Sequence, residues 1–196
     1  MIYRLNRGWL FDAFGEWNRF LRRMVHLIAC GGTAMTLLGV KPSTKDVDLM
    51  VPELREYAYL TKQLSAMGYK KTTAYGWKRE GEPFQFDIFS GKRIHTTELM
   101  ESPLEKGRHS ILKEFSQLYI GVLNDYDLIS SKLMRGTRVD FEDCVNLALA
   151  HRNEIDLDRL FNHFHEMVSF DVAEDRLRPN IDYFLALLKK ERRHGR

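Results

Sequence analysis

The residues able to do chemistry in this 196-residue chain gather in a short span. Asp46 and Asp48 stand one residue apart in DVDLMV (46–51), a run that otherwise reads as a buried strand. Residues i and i+2 of a strand share a face, so both carboxylates are expected to project side by side, with Val47 and Leu49 turned toward the core. Like charges this close are tolerated where a cation lies between them or water reaches both. Asp87, in FQFDIFS (84–90), has the same setting, flanked by Phe86, Ile88 and Phe89. If that strand lies beside 46–51, three carboxylates meet on two neighbouring strands. Hard divalent ions such as Mg²⁺ take carboxylate oxygens and bring phosphate with them. Such a set has the makings of a two-metal phosphoryl- or nucleotidyl-transfer site.

Upstream, Gly31-Gly32-Thr33 follows the apolar run HLIAC (26–30). A Gly-Gly turn between a strand and a helix lets backbone N–H groups approach a phosphate, and the helix N-terminus favours negative charge. Thr33 can add a hydroxyl. In this division of labour Gly31, Gly32 and Thr33 bind the terminal phosphates of a nucleoside triphosphate. The aspartates then hold the ions that bridge those phosphates and the attacking hydroxyl.

These residues need elements to position them. Residues 9 to 24 carry a helical apolar pattern (Trp9, Phe11, Phe14, Trp17, Phe20, Leu21), closed by Arg22 and Arg23. HLIAC is a strand, TAMTLLG a short helix ended by Gly39, and DVDLMV the second strand. A helix starts near Pro52 and ends at Gly68. YKKTTAY (69–75), FQFDIFS (84–90) and LYIGVL (118–123) are further strands, and 92–117 is assigned to no element, a lid or a surface excursion. From Asn124, a suitable N-cap, the period is helical: NDYDLISSKLMRG, DFEDCVNLALAH, then 156–169 and 180–193. Strands and helices mix at first and helices dominate later. The expectation is an α/β (α+β) fold over 1–123, with a mixed sheet and helices packed on it, followed by a helical region over 124–196 packed on that core.

A net charge of +3 does not announce a nucleic-acid binder. The basic excess sits in the terminal KKERRHGR and reads as a solvated tail or an RNA contact. Cys30 and Cys144 are far apart, in no metal-ligand spacing, and read as small hydrophobes of a reducing cytoplasm. His95, His109, His163 and His165 are scattered and read as structural or surface residues. No signal peptide or membrane span is recognised, so no membrane partner is expected.

Gly31-Gly32-Thr33, then Asp46-Val47-Asp48, then the lone Asp87 in a later apolar strand resembles the nucleotidyltransferase superfamily related to DNA polymerase β. The resemblance covers roughly residues 25–90. It implies that superfamily's mixed-sheet core, Mg²⁺ (or Mn²⁺) as cofactor, and transfer of a nucleoside monophosphate to an acceptor hydroxyl, with Asp46, Asp48 and Asp87 catalytic and metal-binding. A weaker likeness runs on through LISSKLMRGTRVDFEDCVNLALA (128–150), which is similar to a segment of prokaryotic nucleotidyltransferase-like toxins of the abortive-infection type. Carried over by position, Lys132 meets the nucleotide phosphates and Asp140 or Asp143 orders the site, with Arg135 and Arg138 in reserve. The alternative for each is a helix-face or helix-start residue. One departure is plain: no basic residue follows the Gly-Gly-Thr run until Lys41, so the superfamily's usual Arg contact is missing. The acceptor stays open between a tRNA 3′ end, a protein hydroxyl and a small molecule such as an aminoglycoside; the toxin-type likeness favours tRNA and admits an antitoxin-type partner. The alternative function is a catalytically inactive nucleotide-binding or interaction domain.

Overall fold

The structure is a computed structural model that describes residues 4–194. Residues 1–3, at the start of the expected core, and 195–196, at the end of the basic tail, lie outside the described residues. The chain divides into two compact units, one up to Asn124 and one from Asp125.

The first unit opens with α1 (Arg7–Phe20). Asn6 caps it, its side-chain oxygen accepting the Trp9 N–H at 2.9 Å. Leu10, Phe14 and Trp17 recur at helical spacing and are buried. Next come β1 (Val25–Ala29), α2 (Gly31–Leu37), β2 (Val47–Val51), α3 (Leu54–Ala66), β3 (Tyr69–Lys71), β4 (Gly76–Arg79) and β5 (Phe86–Ser90). The unit closes with β6 (Arg93–Ile94), β7 (Thr97–Glu98), β8 (His109–Glu114) and β9 (Leu118–Leu123). Seven strands form one mixed sheet in the order β3-β4-β5-β2-β1-β9-β8, and β6 with β7 forms a separate hairpin. The pairs β1–β9 and β2–β5 are parallel, whereas β1–β2, β3–β4, β4–β5 and β8–β9 are antiparallel.

The face of the sheet that carries Phe86 packs on α1. The Trp17 ring lies 4.6 Å from Phe86 and 5.9 Å from Tyr69, and its Nε1–H donates to the Tyr69 hydroxyl at 3.2 Å. Trp17 is fully buried, and a core aromatic of that size is worth about 3–5 kcal/mol. Burial pushes the Tyr69 phenol up to about 12, so it stays protonated and also donates to Glu82 at 3.4 Å. Arg79 of β4 ties the sheet edge to α1 through Glu16, at 2.7 Å, while also holding Glu82.

Two expected elements come out differently. YKKTTAY is a strand only as far as Lys71. Thr73 then builds a turn, accepting the N–H groups of Tyr75 and Gly76, and the polar connection contains β4. The unassigned stretch 92–117 supplies the β6–β7 hairpin and the sheet-edge strand β8, which is largely exposed and carries a register shift between Ile111 and Lys113.

The second unit consists of α4 (Asp125–Arg135), α5 (Arg138–Ala150), α6 (Leu157–Val168), the short α7 (Glu174–Leu177) and α8 (Pro179–His194). Gly136, at φ 63, turns α4 into α5, and Thr137 with Asp140 forms a capping box on α5. Asn180 donates to the Leu133 carbonyl at 2.8 Å, satisfying an end of α4. Between α4 and α5 lies a buried ion network. Lys132 Nζ is 2.7 Å from Asp143 and 3.5 Å from Asp140, and Arg135 Nε donates to Asp140 at 2.7 Å. Cys144, beside this network, is buried and in no disulfide, as is Cys30; burial pushes the Cys144 thiol far up, which disfavours its thiolate.

Burial would raise the Asp140 pKa, but hydrogen bonds from Arg135 and Thr137 and the nearby positive charges outweigh it, and the carboxyl is held at about 2 against an ordinary 3.8. A folded-state value below the unfolded one contributes stability that is complete above about pH 5 and is lost as pH falls through 2. Asp140→Asn is therefore expected to cost about 2–4 kcal/mol at pH 7. The gap to wild type should shrink by roughly half at pH 3. Urea unfolding at both pH values checks this, and a gap of constant size would contradict the ionised network.

Candidate active site

The parallel register of β2 on β5 sets Asp48 opposite Asp87. Partners in a parallel pair project to the same face. Both therefore lie on the face opposite Phe86 and its packing on α1, with Val47 and Phe86 buried as the next register pair. The alternation read in the sequence has its cause here: apolar residues face the helix and acids face away from it.

Further contacts at Asp48 and at the entry to β2 fix its place. Gly31 begins α2 at φ +54, and a Cβ there would overlap Asp48 Oδ2 and stand 3.1 Å from its Cγ. Only glycine serves both the left-handed backbone and the close approach of the carboxylate. A Cβ on Gly32 would stand 2.7 Å from Thr44 Oγ1. Thr33 Oγ1 accepts the Asp48 N–H at 2.8 Å and donates to the Asp46 carbonyl at 3.2 Å, while Thr44 Oγ1 donates to the same carbonyl at 2.9 Å. Thus the Thr33 hydroxyl pins the entry to β2, its one proton directed at Asp46. The two glycines form the first residues of the helix rather than a turn ahead of it.

Asp46 lies one residue before β2 and is exposed. Asp87 is oriented by Gln85, whose Nε2 donates to Oδ1 at 2.7 Å; Gln85 in turn accepts from Thr72 Oγ1 at 2.6 Å. Gly76, the register partner of Asp87, leaves room for Gln85, because a Cβ there would overlap the Gln85 amide. Sequence reasoning passed over Gln85, whose only signal was its place two residues from the acid on the same strand face.

His95, read from the sequence as a structural or surface residue, also stands beside these acids. This residue forms half of the two-residue turn between β6 and β7, and among the described residues it is the only non-glycine with positive φ, at 50. Its ring meets Phe89 edge-on at 4.6 Å, and its Nε2 lies 4.0 Å from Asp48 Oδ1. Asp48, Asp87 and His95 each offer a ligand atom within 4.8 Å of the others. That set of two carboxylate oxygens and one imidazole nitrogen fits a divalent cation. Asp46 stands outside it.

In the helical unit, Lys132, Asp140 and Asp143 are buried together. Arg138 is 88% exposed and pairs with Glu142 at 3.1 Å. Asp125, His151 and Glu154 form a second grouping of donor atoms, in which His151 Nδ1 is already 2.8 Å from Asp125. No helix among the described residues is long and apolar enough to cross a membrane.

Residues 10–189 match the model of a family described as "Nucleotidyltransferase of unknown function (DUF6036)". No curated protein matches the chain. Among solved structures, the crystal structure of ANT(2")-Ia in complex with adenylyl-2"-tobramycin is similar with a TM-score of 0.52 at 15% identity, covering 82% of this chain and 93% of that one. An antigenic nucleotidyltransferase-like protein from Paracoccidioides brasiliensis is similar with a TM-score of 0.52 at 16% identity, covering 98% of this chain and 92% of that one. At these identities the likeness speaks to the fold, the mixed α+β arrangement described above.

The Gly31 contact can be isolated by comparison with Gly39, which has φ +78 and open space around it. Gly39→Ala should cost about 1 kcal/mol, the backbone penalty alone. Gly31→Ala should cost at least about 1 kcal/mol more, since Asp48 must also be displaced. Denaturant unfolding of the two variants measures the difference, and equal losses would show that the approach of Asp48 imposes no constraint.

Proposed function

Given that the chain belongs to a family of nucleotidyltransferases, and so is an enzyme of that class, we propose that it moves a nucleoside monophosphate from a nucleoside triphosphate to an acceptor hydroxyl with Asp48 and Asp87 as its central acids. The observation that carries this reading is the register pairing of Asp48 with Asp87, reinforced by a glycine at 31 that admits the Asp48 carboxylate. Asp48 and Asp87 would hold a divalent ion, Mg²⁺ or Mn²⁺, and Asp46, exposed at the mouth of β2, would join them on the triphosphate side. A divalent ion so held supplies charge neutralisation for the triphosphate and for the attacking oxygen.

The chain's own part is positioning and proton transfer. The acceptor hydroxyl oxygen attacks the α-phosphorus, its proton passes to Asp87, and the bond from the α-phosphorus to the bridging oxygen breaks to release pyrophosphate. Gln85 keeps Asp87 turned to that task by its 2.7 Å hydrogen bond. Backbone N–H groups of Gly31 and Gly32 would receive the terminal phosphates, and Thr33 would act on the site by holding β2 in place. Lys132, with Asp140 and Asp143, would support the fold of the helical unit first; a phosphate role would require it to leave two carboxylates. Arg138, exposed, stays the freer candidate for an anion.

For the acceptor we favour an RNA 3′ hydroxyl over a protein or aminoglycoside hydroxyl. Two features support this: the toxin-type likeness of 128–150, and the exposed basic end of α8 at Lys189, Lys190, Arg192 and Arg193. An antitoxin-type partner and a cytoplasmic setting belong to the same reading.

The test is to incubate the protein with each α-labelled triphosphate, Mg²⁺ or Mn²⁺, and in parallel total RNA, cell-extract protein or aminoglycosides. Label should reach RNA. Asp48→Asn and Asp87→Asn should each lower transfer by at least about 100-fold with an unchanged circular-dichroism melt. Transfer at the wild-type level in both variants would rule out this site.

A further inference from the structure

We propose that His95 is the third protein donor to the ion held by Asp48 and Asp87, and that its nitrogen biases the site toward a first-row transition ion such as Mn²⁺ or Co²⁺ and away from Mg²⁺. The inference rests on the reading of Asp48 and Asp87 as the ion-holding pair.

Its basis is the placement of a residue that no local signal would put there. β5 runs from Asp87 through Phe89 to Ser90, and the chain then turns back at once through the β6–β7 hairpin. That reversal returns His95 to the carboxylates. Its ring is seated edge-on against Phe89 at 4.6 Å, on the same strand and face as Asp87. The Tyr75 ring stands at right angles to it at 6.0 Å, and the Tyr75 hydroxyl reaches the His95 carbonyl at 3.5 Å. The imidazole is thereby walled by two aromatic rings on one side and left 45% exposed on the other. A histidine in a left-handed turn position costs about 1–3 kcal/mol relative to glycine and persists only where its surroundings require it.

The distances suit coordination better than a salt bridge. Nε2 of His95 and Oδ1 of Asp48 are 4.0 Å apart, too far for a hydrogen bond. Around an octahedral ion with bonds of about 2.1 Å, adjacent donors stand about 3 Å apart and opposite donors about 4.2 Å apart. The 4.0 Å between His95 Nε2 and Asp48 Oδ1 lies close to the opposite-donor spacing, and Asp87 offers an oxygen within 4.8 Å of both. Donor chemistry then sets the preference. Mg²⁺ favours oxygen donors and retains water, whereas imidazole nitrogen strengthens binding of the softer transition ions. A site built from Asp48 and Asp87 alone would lack that bias.

The test measures ion binding by the free protein, with no nucleotide present. Mn²⁺ binding is followed by loss of the free-ion electron paramagnetic resonance signal, with Mg²⁺ as competitor. Pulsed methods on the bound ion then look for coupling to an imidazole ¹⁴N. His95→Gly suits the left-handed turn and removes the donor, and His95→Asn also tolerates that backbone while offering an oxygen in place of the nitrogen. Wild type should show ¹⁴N coupling. His95→Gly should lose it and bind Mn²⁺ about 10-fold more weakly, with Mg²⁺ affinity changed less than about 3-fold. His95→Asn should lose the coupling and the preference for Mn²⁺ together. Bound Mn²⁺ that Asp48→Asn and Asp87→Asn remove, but with no ¹⁴N coupling and no response to His95→Gly, overturns the inference and leaves the carboxylate reading standing. Mn²⁺ binding indifferent to both aspartate variants overturns the carboxylate reading, and this inference with it.

Discussion

The candidate site depends on one constraint, the parallel register in which β2 lies beside β5. Phe86 and Val47 form the register pair just before Asp87 and Asp48. Phe86 is locked among Trp9, Trp17, Tyr69 and Phe84 on the α1 side of the sheet. A slip of one residue would turn every side chain of the strand over, driving Asp87 into that aromatic cluster and Phe86 out of it. Burying an unpaired carboxylate among aromatic rings is far costlier than any strand hydrogen bond is worth. The hydrophobic core thus sets the positions of the acids.

Around that constraint the smaller contacts act in series. Thr33 and Thr44 fix the chain entering β2, Gly31 leaves space for the Asp48 carboxylate, and Gly76 leaves space for the Gln85 amide that orients Asp87. Each glycine is matched to a specific side chain opposite it, so the cost of its backbone freedom is offset by where that side chain comes to rest.

The two units treat their acids differently. In the helical unit, Asp140 and Asp143 are answered within the chain by Lys132 and Arg135, and removing any one partner leaves a buried charge exposed to the full desolvation cost. In the sheet unit, the half-buried Asp48 and Asp87 are drawn together with a histidine and a glutamine, and an added cation is electrostatically favoured there.

Much of this was legible residue by residue. Apolar alternation around Asp48 and Asp87 marked both strands, the period of Leu10, Phe14 and Trp17 marked α1, and LYIGVL gave β9 with the bounds that the sheet has. These signals are local, because a buried face imposes its own spacing on the chain. β4 and β8 left little trace: they are held by pairing to β5 and β9, with the charged residues of β4 half-buried and those of β8 exposed, so neither shows a clean apolar alternation. His95 was hidden for a related reason. His-Thr is not a typical hairpin turn pair, and its nearness to Asp48 arises from a chain reversal that no sequence spacing records. Lys132 read as an amphipathic-helix residue or a phosphate contact because its carboxylate partners come from the next helix. The sequence by itself determined which residues of each strand face the core, since burial acts through local periodicity. Only the tertiary structure decided which strands are neighbours, and through them which glutamine, glycine and histidine meet the two aspartates, because those contacts are closed by long-range pairing.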